Sequence, residues 1–243
     1  MSLNSFVLNL KRGETPFYRR LRTVLRQFRR PTVPRIPRIL KPPLRILYEM
    51  HFGIISAVRL VLTVFYRNPL FQARCASVGK RLSLDGLPFI SGHAEIHIGD
   101  DVWIGGNFIV DSARVFEHPK LVIQDHVELG WNVTLTANKE VVIEEYAMIA
   151  ADCRISDSDG HPREADLRAQ KLPPHAKDIL PVRIGRYAWI GSGSHIMKGV
   201  TIGEGAIVGA NSFVITDVPP YCLAMGNPAE VYFRNIGRPT VRK

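Results

Sequence analysis

A period of six residues governs the C-terminal two-thirds of this chain. Its clearest run is Ile184-Gly-Arg-Tyr-Ala-Trp, Ile190-Gly-Ser-Gly-Ser-His, Ile196-Met-Lys-Gly-Val-Thr, Ile202-Gly-Glu-Gly-Ala-Ile, Val208-Gly-Ala-Asn-Ser-Phe and Val214-Ile-Thr-Asp-Val-Pro. The same spacing runs backwards through Ile143 and Ile149, then Ile123, Leu129 and Leu135, then Ile98, Ile104 and Val110. Val78, Leu84 and Ile90 form a weaker first set. A helix repeats every ~3.6 residues and a strand every ~2, so neither sustains this pattern. A short strand followed by a tight corner does, with three faces closing a triangular coil of about 18 residues. The aliphatic residue then points inward and stacks on its counterpart one coil away, about 4.7–4.9 Å along the axis. The small fifth residue packs inside as well, where a bulky one would not fit. Gly or an acid directly after the aliphatic suits a corner with unusual backbone angles.

The spacing between coils locates the insertions. Val78 to Ile98 and Ile123 to Ile143 are 20 residues each, Ile98 to Ile123 is 25, and Ile143 to Ile184 is 41. The extra residues fall near Ala113–Lys120 and, as a long excursion, over Ser156–Pro181. Loops that leave a regular solenoid have no packing reason to exist, and such loops carry function.

Charge divides the chain differently. Residues 1–75 carry 15 basic side chains and two acids, whereas residues 76–243 carry 17 basic and 20 acidic ones. The overall +10 therefore belongs to an appendage, and the repeat body is mildly acidic. The body has no basic surface interleaved with aromatics, which argues against nucleic acid as a partner. Three cysteines cannot form a disulfide framework and suit a reducing compartment. No segment reads as a signal peptide, so a cytoplasmic location is expected.

Within the appendage, residues 16–30 place Phe17, Leu21, Val24, Leu25 and Phe28 on one helical stripe, with arginines over much of the rest. That is a basic amphipathic helix of the kind that lies on an anionic membrane surface. Five prolines in 31–43 predict a stiff, extended linker. A second apolar helix is expected over about 44–67, opened by Pro42-Pro43 and stopped by Asn68-Pro69. Its apolar side is open to three uses: lying at a membrane interface, capping the solenoid or spanning a bilayer. Glu49 and Arg59 weigh against the last. The domain plan is thus 1–43 (basic helix and linker), 44–77 (apolar helix and connection), 78–235 (solenoid) and 236–243 (basic tail).

Three stretches give the solenoid a family likeness: Ser156-Asp-Ser-Asp-Gly-His-Pro162, Val182-Arg-Ile-Gly-Arg-Tyr-Ala-Trp-Ile-Gly191, and Asp217-Val-Pro-Pro-Tyr followed by Gly226-Asn-Pro-Ala229. They resemble the hexapeptide-repeat acyltransferases, most closely bacterial sugar O-acetyltransferases of the galactoside, maltose and exopolysaccharide type. The resemblance implies a mainly β fold, a left-handed parallel β-helix of about six coils. It further implies a homotrimer with acetyl-CoA lying between neighbouring solenoids, a sugar or glycan-precursor acceptor, and no metal. In such enzymes a His at the mouth of this excursion is the general base, and here that position is His161. Asp157 or Asp159 would hold its imidazole in the productive tautomer. Trp189, Gly191, Ser192 and Ala210 would lie beside the pantetheine arm. Galactoside-type enzymes carry Thr-Lys before the Asp-aliphatic-Pro-Pro exit, and this chain has Ile215-Thr216. The nucleotide phosphates are then left to Lys198 or Arg234.

The remaining histidines carry less. His195 occupies an outward position of a repeat and reads as surface or subunit contact. His118 and His175 lie in the excursions. His93 and His97 have a spacing that suits a metal only on a helix, and this stretch is not helical. Two other functions share the fold: a non-enzymatic solenoid serving as a binding or structural subunit, and a serine or antibiotic acetyltransferase of the same family.

Overall fold

The computed structural model describes residues 3–29 and 35–237. The chain divides into two compact units, Met1–Ile55 and Ser56–Lys243.

In the first unit, α1 (Leu3–Arg12) and α2 (Pro16–Arg29) form a helical hairpin. Gly13, at a φ of 67°, turns the chain between them. Phe6 meets Tyr18 edge to face at 5.7 Å, and the Arg22 guanidinium donates to the Lys11 carbonyl at 2.9 Å. α2 matches the expected basic helix, whereas α1 is an addition to the sequence reading. Of the apolar stripe of α2, Phe17, Val24 and Leu25 are exposed and Leu21 is half-buried. The side chain of Phe28 lies outside the described residues.

The linker is shorter than its prolines suggest, and residues 30–34 lie outside the described residues. A 3-10 turn occupies Arg38–Leu40, and α3 starts at Lys41 and runs to Leu62. Pro42 and Pro43 sit in its first turn, where a missing N–H leaves no bond unmade. No residue of α3 is buried. Asn68-Pro69 does not stop the helix as expected. A π-helical turn over Thr63–Arg67 precedes α4 (Asn68–Arg74), placing Pro69 at the start of a new helical segment. There the ring again removes no needed donor. This end of the helical run is pinned to the first coil. Thr63 donates to the Leu84 carbonyl (3.0 Å), Arg67 to that of Asp85 (3.0 Å) and the Asn68 amide to that of Leu82 (3.2 Å). Phe71 is buried in the solenoid core. Capping, one of three uses open to this segment, is therefore carried out by its last turns.

The solenoid has three parallel faces. The first comprises Ser77–Val78, Glu95–Ile98, Lys120–Ile123, Glu140–Ile143, Val182–Ile184 and Thr201–Ile202. The second comprises Ser83–Leu84, Trp103–Ile104, Glu128–Leu129, Met148–Ile149, Trp189–Ile190 and Ile207–Val208. The third comprises Phe89–Ser91, Ile109–Asp111, Thr134–Thr136, Arg154–Ser156, His195–Ile196 and Phe213–Val214. The second face is extended by Cys222–Gly226, and Ala229–Arg234 turns back antiparallel to it.

The strand register reproduces the sequence period. Val78 pairs with Ile98, Ile98 with Ile123, Ile123 with Ile143, Ile143 with Ile184 and Ile184 with Ile202. Small fifth residues such as Ala188, Ser194, Ala206 and Ser212 are buried between them. Coil spacing is visible outside too, where the His126 and Tyr146 rings stack at 4.5 Å and Tyr146 on Tyr187 at 5.1 Å.

The corners differ from expectation. The left-handed backbone falls three residues after the inward aliphatic rather than one, as at Tyr146 (φ 59°), Tyr187 (57°) and Asn211 (56°). That conformation turns each amide along the axis. Tyr146 N–H reaches the Asp125 carbonyl of the preceding coil at 3.0 Å, and Tyr187 N–H reaches that of Glu145 at 3.1 Å. The Gly after the aliphatic serves close stacking instead. A Cβ on Gly191 would sit 2.6 Å from the backbone nitrogen of Ala210 in the next coil.

Candidate active site

The long excursion leaves the third face at Ser156 and rejoins the first at Val182. It carries α5 (Ala165–Ala169) and a 3-10 turn at Ala176–Asp178. Its two ends are tied together, because Leu180 N–H donates to the Asp157 carbonyl at 2.9 Å.

Asp157 is fully buried. Its carboxylate accepts the backbone N–H groups of Asn138 (2.8 and 2.9 Å to the two oxygens), Lys139 (2.6 Å) and Glu140 (3.0 Å). Burial pushes this carboxyl up from its ordinary range, against the three amides that pull it down. The expectation that Asp157 orients the imidazole is therefore corrected. Three successive N–H groups at a buried corner need an acceptor, and this carboxylate supplies it.

Asp159 is likewise engaged by other side chains. Its Oδ2 accepts from the Lys198 ammonium at 2.5 Å and lies 3.9 Å from Arg163 Nε. The Lys198 side chain is only 12% exposed. This pairing places the Lys198 ammonium at the excursion, beside Asp159.

Between these anchors, Ser158 is buried. Its hydroxyl oxygen accepts from Gly160 N–H (2.9 Å) and from Asn138 Nδ2 (2.8 Å). Pro162 is buried, and its carbonyl accepts from Arg168 at 3.2 Å. His161 stands apart from all of them. It is exposed and, among the described residues, makes no hydrogen bond or ion pair. An unpartnered imidazole on a tied-down loop has both ring nitrogens open to a ligand.

The proposed cofactor residues lie elsewhere. Trp189 is 51% exposed on the second face, and Ser192 and Ala210 lie at the corner leading to the third, Ala210 exposed and Ser192 likewise. Asn211 N–H donates to the Ser192 carbonyl, so these two corners are adjacent. Gly191 sits with them, though coil stacking alone already requires its missing side chain. Arg234 is exposed on the last strand of the sheet that contains Trp189. One chain therefore gathers Trp189, Gly191, Ser192, Ala210 and Arg234 around the second face. His161 is on the edge between the third and first faces.

Other histidines are engaged. His118 Nδ1 is 2.7 Å from Glu95 Oε1, His175 Nε2 is 3.3 Å from Glu164 Oε2, and His97 Nδ1 is 2.9 Å from Ser77 Oγ. His195 is half-buried on the outer side of the third face, near Phe213. Sequence reasoning missed Asn138 and Ser158. Both are small polar residues at corners, and only their burial separates them from ordinary turn residues.

Residues 181–216 match the model for bacterial transferase hexapeptide (six repeats). Galactoside O-acetyltransferase of Escherichia coli K12 is 31% identical over 166 residues, 68% of this chain and 66% of its own length. Polysialic acid O-acetyltransferase of Escherichia coli O1:K1 is 40% identical over 118 residues, 48% of this chain and 37% of its own length. The chain thus spans less than two-thirds of these relatives. Among solved structures, a point mutant of AntD is similar in fold. This Bacillus cereus N-acyltransferase, in complex with dTDP-4-amino-4,6-dideoxyglucose and coenzyme A, has a TM-score of 0.59 and 21% identity, covering 72% of this chain and 91% of its own. The fold is mainly β, consistent with the left-handed β-helix, with an N-terminal helical region. In its repeat, its register and these similarities, the chain resembles the hexapeptide-repeat transferases.

Proposed function

We propose that this chain is an acetyl-CoA-dependent O-acetyltransferase acting on a sugar hydroxyl, with His161 as general base. The observation that carries this reading is the imidazole itself. Among the described residues it is exposed and unpartnered, on a loop whose neighbouring residues are tied down. A hydroxyl is a weak nucleophile at neutral pH. A ring nitrogen of His161 takes its proton as the oxygen attacks the thioester carbonyl, and the C–S bond then breaks to release CoA as thiolate. Donor and acceptor are bound together, and no acyl-enzyme forms.

The galactoside and polysialic acid relatives support a sugar acceptor. The second of them favours a role in surface-polysaccharide or lipid-linked glycan synthesis. Separation of His161 from the group around Trp189 supports a homotrimer in which neighbouring copies complete each site. No metal is assigned a role. Saturable, near-stoichiometric heat on titrating acetyl-CoA into the protein is expected. Acetyl transfer to a panel of hexosides, galactosides included, is then read as the mass gain of one acetyl group on the sugar. Absence of any heat would leave a non-catalytic solenoid.

The enzyme acts at the cytoplasmic face of an anionic membrane, held peripherally through residues 1–67. Support comes from the arginines of α2 beside the exposed Phe17, Val24 and Leu25, and from α3, in which nothing is buried. One helical run, Arg38–Arg74, is also long and apolar enough to cross a membrane. Near an anionic surface each basic side chain contributes about 1 kcal/mol. Arg19→Ala/Arg20→Ala in the full chain is expected to weaken sedimentation with phosphatidylserine vesicles about 30-fold, roughly 2 kcal/mol. Equal sedimentation with neutral vesicles would overturn the electrostatic part of this reading.

A further inference from the structure

Two excursions leave the solenoid at the same edge, residues 112–119 and 157–181, separated by the coil that carries Thr134–Thr136. Asn138 lies between them and is buried. Its Oδ1 accepts the Ala113 N–H of the first excursion, and its Nδ2 donates to Ser158 Oγ of the second at 2.8 Å. Its own backbone N–H is bound by Asp157. The next residue, Lys139, gives its N–H to Asp157 and sets its ammonium 5.7 Å from the centre of the Phe116 ring. Phe116 in turn offers its carbonyl to His93 Nε2 at 2.8 Å. Ser158 Oγ also receives Gly160 N–H, one residue before His161. Gly160, at a φ of 80°, makes a turn that its neighbours must hold.

Among the described residues His161 has no side-chain partner, so its position comes from the backbone on either side of it. We infer that Asn138 is a positioning residue for His161: its buried amide locks the excursion 157–181 to the excursion 112–119, so that the two act as one wall of the acceptor site. This inference rests on the reading of His161 as the base. A displacement of about 1 Å at a reacting group lowers rates by ~10²-fold, so the lock acts on turnover more than on donor binding.

The test uses the full chain and three variants: Asn138→Ala, Asn138→Asp and His161→Ala. Active sites are counted by CoA titration, so that a misfolded fraction does not enter kcat. Acetyl-CoA is the donor, and the acceptor is whichever hexoside the wild type acetylates. Asn138→Ala is expected to lower kcat about 10- to 100-fold with the KM for acetyl-CoA unchanged. Asn138→Asp still accepts from Ala113 N–H and takes the Ser158 hydroxyl proton instead of donating, so it is expected to recover most of the loss. Hydrogen exchange, which needs no acceptor, is expected to rise in Asn138→Ala at 112–119 and 157–162 together, with the coil amides unchanged. Wild-type kcat in Asn138→Ala, or faster exchange in only one excursion, would overturn the lock. Wild-type rate in His161→Ala would instead overturn the base, a result the exchange data do not depend on. If Asn138→Ala fails to fold, Ser158→Ala severs the same bridge at its other end and is read in the same way.

Discussion

His161→Ala is expected to lower acetyl transfer by about 10²–10⁴-fold, the range over which a positioned general base contributes. Its thermal midpoint should match that of the wild type. Both expectations follow from one arrangement. The imidazole is exposed and bonded to nothing among the described residues, so the fold does not use it. The flanking residues are held by Ser158, Lys198 and Arg168, so the loop keeps its shape without the ring. Acetyl-CoA affinity should also persist, because the residues assigned to the donor lie on another edge of the solenoid. CoA release with a thiol reagent, calorimetry and thermal unfolding check the three. A variant that turns over at the wild-type rate would remove His161 from the chemistry. A variant that loses stability in proportion to activity would make it a structural residue.

Phe71→Ala is expected to cost about 3–5 kcal/mol of stability in urea unfolding, the range for truncating a buried aromatic. Phe71 is 1% exposed and lies at the start of the core, where Val78 and Ile90 of the first coil are only partly covered. A solenoid buries its apolar interior between coils, so its first coil needs a separate cap. The turns around Phe71 supply one, fixed by Thr63, Arg67 and Asn68 to carbonyls of the first coil. Phe65 is 78% exposed, and Phe65→Ala is expected to change stability by no more than about 0.5 kcal/mol. Equal effects of the two substitutions would mean that the helix end does not close the core.

Much of the solenoid is legible in the residues. Ile143 and Ile184 are separated by the long insertion and Ile184 and Ile202 by one regular coil, and each lands in register on the first face. The excursion ends at 156 and 182 come from the same arithmetic. The corners are less legible. The Gly after Ile184 and after Val208 suggests unusual angles there, yet the left-handed residues are Tyr187 and Asn211, two positions later. Sequence shows that a small residue is needed, and only the neighbouring coil shows why. Asp157 and Asp159 mislead for a related reason. Both are carboxylates beside a histidine in sequence, but Asp157 faces three amides of the preceding coil and Asp159 faces Lys198 of the next.

The sequence by itself determined the coil, its register and where the chain leaves it. Those follow from an inward aliphatic every six residues, which any stacking of coils must satisfy. The tertiary structure alone decided which polar groups beside His161 are used up inside the fold. Hydrogen-bond partners here come from other coils, 39 positions apart for Lys198 and Asp159 and 20 for Asn138 and Ser158. No local pattern encodes such a pairing, because it forms only when the coils are laid one on another. Among the described residues, that pairing engages Asp157, Ser158 and Asp159 and leaves the neighbouring His161 imidazole open.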